Sequence, residues 1–265
     1  MLKEAEDLIA EADELHTFLQ TLAPADWNRP TQFMDWTPWD VVAHLHFFDE
    51  VSLRALEGEE VFAKHRDDLM KNIIGGKTNQ QIGRETYAGR EPKALLDEWI
   101  EGCHDMARQL GESNPKRRLP WFGPDMGVRM FTTARLMETW AHGQEIYDLV
   151  GATREPTDRL KHIATIGVKT FGWTFVNRQL EPPGPPPYVR LVAPSGEIWE
   201  WNDPSDSERV EGTALDFCLA VTQTRHHTDT GLSVTGDVAH QWMEIAQCFA
   251  GGAVDPPKPG ERKSA

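Results

Sequence analysis

The sequence predicts an α+β protein that is mostly α, in which a four-helix bundle precedes a smaller α/β domain. Four long segments before residue 152 carry apolar residues at steps of three and four, the period of an amphipathic helix. After residue 180 the pattern changes to short alternating segments separated by proline and glycine, which is typical of strands and turns. A chain of 265 residues is long enough for two domains. We therefore divide it into residues 1–152, which carry the four long helices, and residues 153–250, which contain the short alternating segments and a helix that bridges to them.

The first two helices of the bundle have clear signals. Residues 2–22 form the first, with the helical period at Leu8, Ala12, Leu15, Leu19 and Leu22. A loop with two prolines follows. Thr37 then supplies a capping residue, Pro38 a first-turn proline and Asp40 an acid three residues after the cap, which together predict a second helix over residues 38–56.

Two further helices complete the predicted bundle. One covers residues 91–110, with Gly111 as its C-cap, and the other covers residues 128–150 and is closed by Gly151. Between the second and third helices, residues 61–74 are weakly helical and residues 79–87 have too little pattern to assign. The segment from 113 to 127 is a loop broken by proline and glycine.

The second domain begins with a predicted helix over residues 157–180 that bridges to it. Consecutive prolines make residues 181–187 an extended connector, because proline blocks both helix and ladder hydrogen bonds. The elements expected after it are a hairpin around Pro194-Ser195-Gly196, a helix over 213–221, a strand over 231–236 and a helix over 238–249. Residues 251–265 are expected to be a mobile tail.

Composition excludes several classes of protein. Lys and Arg number 27 against 42 Asp and Glu, which gives a net charge of −15, so a nucleic-acid-binding surface is not expected. No stretch approaches the about 20 apolar residues of a membrane span, and the acidic start is unlike a signal peptide, so we expect a cytoplasmic protein. The three cysteines, Cys103, Cys218 and Cys248, are widely spaced and support neither a disulfide framework nor a cysteine zinc site.

Three residues are candidates for a metal site. Glu138 and His142 are four residues apart on one predicted helix, so they share a face, and His44 lies within an apolar segment of the second helix. The pair alone is also typical of a surface hydrogen bond, and His44 alone of a hydrogen-bonded core histidine. Packed opposite each other, the three would form the two-imidazole, one-carboxylate set of catalytic zinc sites, which also accepts iron, nickel, cobalt or manganese.

Other polar residues have mainly structural interpretations. His46 and Glu50 form a competing pair, and Glu145 or Asp148 could accept a hydrogen bond from a ligand imidazole. His226 and His227, beside Arg225, could face a pocket or solvent, and because they are neighbours we expect one of them to face solvent. The basic run Lys116-Arg117-Arg118 is expected to be a solvated loop, with contact to an anionic substrate as the alternative. The tryptophans within the candidate motifs, Trp36, Trp39 and Trp140, are expected either to line the metal pocket or to pack in the core.

Two motifs of the chain are similar to those of a known family. One is Asp35-Trp-Thr-Pro-Trp-Asp-Val-Val-Ala-His-Leu45, and the other is Glu138-Thr-Trp-Ala-His-Gly143, followed by Asp148-Leu-Val-Gly151. Both resemble motifs of the DinB-like, mycothiol-dependent maleylpyruvate isomerase family. The resemblance implies a DinB-like bundle that binds a divalent metal, usually zinc, through His44, Glu138 and His142.

The resemblance extends to the second domain. Residues 210–218 through 236–237 are similar to the sterol-carrier-like domain that follows the bundle in this family. In the isomerase branch an arginine after that domain's helix contributes to the active site, and Arg225 occupies roughly the corresponding place. Here Thr222-Gln-Thr precedes it rather than Trp-Gly, and Pro38-Trp39 replaces the more usual Val-Arg, which indicates a differently shaped pocket mouth.

Three functions are compatible with these residues. The first is a metal-dependent enzyme that activates a low-molecular-weight thiol such as mycothiol for isomerisation of, or transfer onto, a small electrophilic substrate. The second replaces the thiol by water and gives a hydrolase or lyase. The third is a binding module with a structural metal and an apolar ligand in the second domain.

Overall fold

The computed structural model describes residues 1–263 of the chain. These residues contain ten α-helices and six short strands, which confirms the predicted α+β class with mostly helical content. Contacts divide the chain after Ala152 into two compact units. No helix among residues 1–263 has both the length and the hydropathy that a membrane crossing requires.

The first unit is a helix bundle with two added helices. Its helices are α1 (Lys3–Leu19), α2 (Pro38–Glu57), α3 (Glu59–Ile74), α4 (Asn79–Thr86), α5 (Pro92–Glu112) and α6 (Val128–Val150). The four long helices that the sequence predicts are present, and α1, α2, α5 and α6 pack on one another. The shorter helices α3 and α4 both pack against α2.

Helix α2 starts where its capping residues require. Thr37 Oγ1 accepts a hydrogen bond from the Asp40 backbone N–H, and Asp40 accepts one from the Thr37 backbone N–H, which is a complete capping box. Asp40 also accepts hydrogen bonds from Gln80 and Arg84 of α4. The N-terminal residues of α2 therefore hold α4, a helix whose own apolar pattern was too weak to assign.

The segment between α5 and α6 is a short hairpin rather than an irregular loop. Strand β1 (Arg118–Leu119) pairs antiparallel with β2 (Met126–Gly127), with Arg118 opposite Gly127. Residues 120–125 form its tip, which carries Trp121 and Phe122. Two-residue strands leave no alternation to detect, so the sequence gives no signal for this pairing.

The second unit contains a four-stranded sheet with helices. Its elements are α7 (Leu160–Lys169), α8 (Phe171–Val176), β3 (Tyr188–Val192), β4 (Ile198–Trp201), β5 (Arg209–Thr213), α9 (Ala214–Val221), β6 (Ser233–Thr235) and α10 (Asp237–Met243). The strand order is β4-β3-β5-β6, and only the β3–β5 pair is parallel. Trp242 is buried in this unit against the rings of Phe171 and Phe217.

Two sequence-based predictions for this unit need correction, and one strand had no prediction. The helix predicted over residues 157–180 is two helices, broken at Thr170, whose hydroxyl donates to the carbonyls of Ile166 and Gly167. The last helix ends at Met243 rather than near 249, because the backbone N–H of Cys248 donates to Val221 O instead of continuing the helix. Strand β5 was not predicted, since its Glu-Gly pair interrupts any alternation.

The described part of the C-terminal tail makes several contacts within the second unit. Arg178 Nη1 lies 2.6 Å from Asp255 Oδ1, and Gln223 Nε2 donates to Val254 O at 2.9 Å. The backbone N–H of Gly260 donates to Asp229 Oδ2 at 2.7 Å. Residues 264 and 265 of the predicted tail lie outside the described residues.

Candidate metal centre

The three predicted ligands lie together between two helices of the bundle. Helix α2 carries His44, and α6 carries Glu138 and His142 one turn apart. Glu138 Oε2 is 3.6 Å from His44 Nε2 and 3.4 Å from His142 Nε2. One donor atom from each of the three lies within 4.8 Å of the others, so a single ion could contact all three.

The burial of His44 tests whether these residues fit a metal. Its side chain is only 10% exposed, yet neither ring nitrogen has a hydrogen-bond partner among residues 1–263. Burying a polar group without a partner costs free energy, and such groups are rare in native proteins. A divalent ion between His44 and Glu138 would supply the partner that Nε2 lacks. The donor set therefore fits a metal.

The protonation states of the ligands also suit a metal. Burial, together with the nearby His142 and Arg135, lowers the pKa of His44 to about 4, so its imidazole is neutral at pH 7. Burial by itself raises the pKa of Glu138, but the adjacent imidazoles of His142 and His44 outweigh it and hold the pKa below the usual range for glutamate. A metal ion requires a neutral imidazole and an ionised carboxylate, and both are already present in these residues.

Aromatic rings surround the two ligand imidazoles. Trp36, the residue before the Thr37 cap, stacks on His142 with centroids 5.5 Å apart and also contacts His44 at 5.0 Å. Phe33 meets His142 edge-on at 5.1 Å, and Phe48 contacts His44 at 4.8 Å. Of the three tryptophans expected to line the pocket or pack in the core, Trp36 thus lies against the candidate ligands. By contrast, the Trp39 indole N–H donates to the carbonyl of Arg90, and Trp140 is buried.

The turn that presents Phe33 and Trp36 has an unusual backbone. Met34 and Asp35 both have positive φ, 49° and 57°, and the Trp36 backbone N–H donates to Phe33 O at 2.9 Å. Residues with a Cβ pay an energetic cost in this left-handed region. The contacts of Phe33 and Trp36 offset that cost, and the sequence carries no glycine that would have signalled the turn.

A buried ion pair joins the two ligand-bearing helices and was missed by the sequence analysis. Arg135 of α6 lies 2.9 Å from Asp49 of α2, and Arg135 Nη2 also donates to the carbonyl of Leu45 at 3.4 Å. Asp49 further accepts a hydrogen bond from the Trp99 indole at 3.1 Å. The available signal was a charged residue at a core-facing position in each helix, which burial permits only for paired groups.

The remaining candidates of the first unit have structural partners. His46 is buried and stacks on Tyr87, whose hydroxyl donates to Glu50, and His46 Nδ1 has no hydrogen-bond partner among residues 1–263. Asp148 accepts a hydrogen bond from Gln144, and Glu145 is buried. In the basic run, Arg117 donates to the carbonyl of Leu56 and Arg118 to that of Asp125, so both support the hairpin.

The histidine pair of the second unit corrects another expectation. His226 and His227 are both buried, and their Nε2 atoms converge on the Glu244 carboxylate, at 3.7 Å and 2.8 Å. This cluster also has metal-binding residue types. However, the Thr228 backbone N–H donates to His226 Nδ1, which places the imidazole proton on Nε2 toward Glu244. We therefore interpret the cluster as hydrogen-bonded.

Arg225 follows α9 at the place that the sequence predicts. Its side chain is buried, and its guanidinium donates to the backbone carbonyl of Thr224. The residue lies in the second unit, whereas the metal triad lies in the first.

Comparison with known proteins identifies the family. The model of the mycothiol maleylpyruvate isomerase N-terminal domain matches residues 8–147, more than half of the chain. The chain belongs to this family. The matched segment contains His44, Glu138 and His142, whereas Arg225 lies beyond it.

Two relatives match this chain over most of their own length. It is 37% identical over 245 residues to "Uncharacterized protein Rv0036c" of Mycobacterium tuberculosis (strain ATCC 25618 / H37Rv), covering 92% of this chain and 94% of the relative. The match to "Uncharacterized protein MT0041" of strain CDC 1551 / Oshkosh has the same values. The crystal structure of the mycothiol-dependent maleylpyruvate isomerase superposes with a TM-score of 0.52 at 13% identity, covering 82% of this chain and 87% of that one. The fold is therefore shared.

Proposed function

We propose that this protein is a divalent-metal-dependent enzyme that activates a low-molecular-weight thiol, of which mycothiol is the first candidate, for reaction with a small electrophile. The observation that carries the proposal is the buried imidazole of His44, which has no hydrogen-bond partner among residues 1–263 and lies beside Glu138 and His142. Zinc is the metal that this donor set fits first, and nickel, iron, cobalt and manganese are also compatible. Family membership supports the thiol, because the family model is named for mycothiol chemistry.

The residues define what the centre can do. Three protein ligands leave room for one exogenous ligand, and an ion bound there would act as a Lewis acid that lowers the pKa of a coordinated thiol. Glu138 supplies the single negative charge of the donor set, so the centre would keep a net positive charge and favour an anionic partner. The aromatic rings of Trp36 and Phe48 cover the imidazoles and limit the access of water to them.

The chemical step follows from thiol reactivity. The thiol proton passes to solvent, and the thiolate sulfur forms a bond to the β-carbon of a conjugated carbonyl substrate while the π electron pair moves to the carbonyl oxygen. The former double bond can then rotate. Return of the electron pair expels the thiolate and completes an isomerisation, whereas protonation at the α-carbon completes a transfer. We propose Arg225, a permanently charged residue of the second unit, as a further catalytic residue.

Metal analysis and a thiol assay test this proposal. Purified wild-type protein should hold one divalent ion per chain, and Glu138→Ala and His142→Ala should each lower that content. Thiol consumption should then be measured with mycothiol, glutathione and bacillithiol against conjugated electrophiles. Wild-type protein without stoichiometric metal, or metal-loaded protein inert with all three thiols, would refute the proposal. Turnover without thiol would favour a hydrolase or lyase instead.

A further inference from the structure

The tip of the β1–β2 hairpin presents two large aromatic side chains. Trp121 and Phe122 follow Pro120 and are only partly buried, although large apolar groups usually lie inside. The fully buried ring of Phe62 supports both, at 6.0 Å from Trp121 and 5.4 Å from Phe122. Proline and the pairing of β1 with β2 restrict the tip, so these rings are held in place before any ligand arrives.

The ring of Phe48 connects these two rings to the candidate metal centre. Phe48 lies one turn after His44 on α2, and its ring is 4.8 Å from the His44 imidazole. On its other side Phe48 is 6.2 Å from Trp121 and 6.0 Å from Phe122. We call Phe48, Trp121 and Phe122 the aromatic wall. It leads directly from a predicted metal ligand to a partly exposed surface.

The charged groups next to the aromatic wall are engaged elsewhere. Arg117 and Arg118 of the hairpin donate to backbone carbonyls, and Arg135 of α6 pairs with Asp49. Arg66, whose guanidinium lies 5.8 Å from the Phe62 ring, pairs with Glu59 and Asp67. The wall itself therefore offers apolar ring surface, which suits a planar apolar group better than a carboxylate.

We propose that the aromatic wall binds a planar apolar group, such as an aryl ring, attached to the reactive double bond of the electrophile. This inference rests on the proposed thiol chemistry and specifies its substrate class. A site selective for a dicarboxylate would need cations at the aromatic wall. A preference for a dianionic substrate is therefore the result that would contradict this inference.

The test compares three electrophiles on the metal-loaded full chain with mycothiol. Benzylideneacetone carries an aryl group, methyl vinyl ketone is small, and maleylpyruvate is dianionic. For wild-type protein, kcat/KM should be highest with benzylideneacetone. Trp121→Leu and Phe122→Leu should each lower the ratio of kcat/KM for benzylideneacetone to that for methyl vinyl ketone about tenfold, because each removes stacking surface. Trp201→Leu, a partly exposed tryptophan of β4, should leave the ratio unchanged.

A binding measurement separates failure of this inference from failure of the proposed function. The unreactive analogue 4-phenyl-2-butanone should bind wild-type protein and bind Trp121→Leu about tenfold more weakly, as measured by NMR titration. Protein that consumes no thiol but shows this difference has the aromatic wall without the thiol chemistry. The inference would be overturned if both leucine variants kept the wild-type ratio of kcat/KM values and the wild-type affinity for the analogue. A kcat/KM that is highest with maleylpyruvate would also overturn it.

Discussion

The indole of Trp36 stacks on the imidazole of His142, with the ring planes 10° apart and the centroids separated by 5.5 Å. The same indole contacts the His44 imidazole at 5.0 Å. One buried side chain therefore touches both imidazoles of the candidate metal centre. Metal-ligating histidines are commonly oriented by a hydrogen bond to the second ring nitrogen, but His44 has no such bond among the described residues. We infer that the contacts of the His44 imidazole with the rings of Trp36 and Phe48 orient it instead.

We predict that Trp36→Leu weakens zinc binding about tenfold. This is the lower end of the loss in metal affinity that follows removal of a group that orients metal ligands. Leucine fills part of the volume but cannot stack on His142, so the imidazoles gain rotational freedom. Trp36→Phe keeps a ring and should recover most of the affinity. Competition titration with a chromophoric chelator measures both constants. Wild-type affinity in the leucine variant would show that Trp36 is only a packing residue.

A second prediction concerns the ion pair between Arg135 and Asp49, whose side chains are 3% and 1% exposed. Burial raises the pKa of Asp49, and the charge and hydrogen bonds of Arg135 oppose that rise. Arg135→Met leaves the carboxylate buried without its partner and should lower the free energy of unfolding by about 3–5 kcal/mol. Chemical denaturation measures the loss.

The double variant Arg135→Met, Asp49→Leu is the control for this second prediction. Replacing both charges by apolar groups removes the unpaired carboxylate and should recover most of the stability, less the cost of the Trp99 indole N–H that loses its acceptor. If the double variant is as unstable as the single one, the loss arises from packing rather than from an unpaired charge.

A third prediction concerns pH and Asp40. Burial raises the pKa of Asp40, but hydrogen bonds from Arg84, Thr37 and Gln80 outweigh it, and the net pKa is lowered. A carboxyl with a lower pKa when folded stabilises the protein above its unfolded pKa of about 4, and this stabilisation is lost as the pH falls below that value. Asp40→Asn should lower the free energy of unfolding by about 1–2 kcal/mol at pH 7, a value reduced because Arg84 is half exposed.

Denaturation at pH 7 and at pH 3 checks this third prediction. The difference between wild type and Asp40→Asn should narrow at pH 3, which lies below the unfolded pKa of about 4. A difference that is equal at both pH values would indicate that the carboxyl charge contributes nothing and that only the hydrogen-bond geometry matters.

The sequence could predict elements with a strong local signal and could not predict pairings that depend on tertiary contacts. Thr37, Pro38 and Asp40 mark the start of α2, and the spacing of Glu138 and His142 places them on one face, so the triad could be assembled before the structure was known. The ion pair of Arg135 with Asp49 joins residues 86 positions apart, and no local pattern reports such a partner. Likewise, the two-residue strands of the hairpin carry no period, so the position of Trp121 beside Phe48 emerges only in the folded unit.

The last prediction distinguishes the two histidine–glutamate clusters found among residues 1–263. Zinc at about 100 times its dissociation constant should stabilise wild-type protein by about 2.7 kcal/mol, because it binds the folded state and not the unfolded one. Glu138→Gln removes the only anionic ligand of the triad and should abolish the zinc-induced rise in Tm. Glu244→Gln makes the same change in the cluster of His226 and His227, which we interpret as hydrogen-bonded, and should retain the full rise. Thermal denaturation with zinc and with a chelator measures both variants. If the rise is instead lost in Glu244→Gln and kept in Glu138→Gln, the metal lies in the second unit and the proton on His226 has been assigned to the wrong nitrogen.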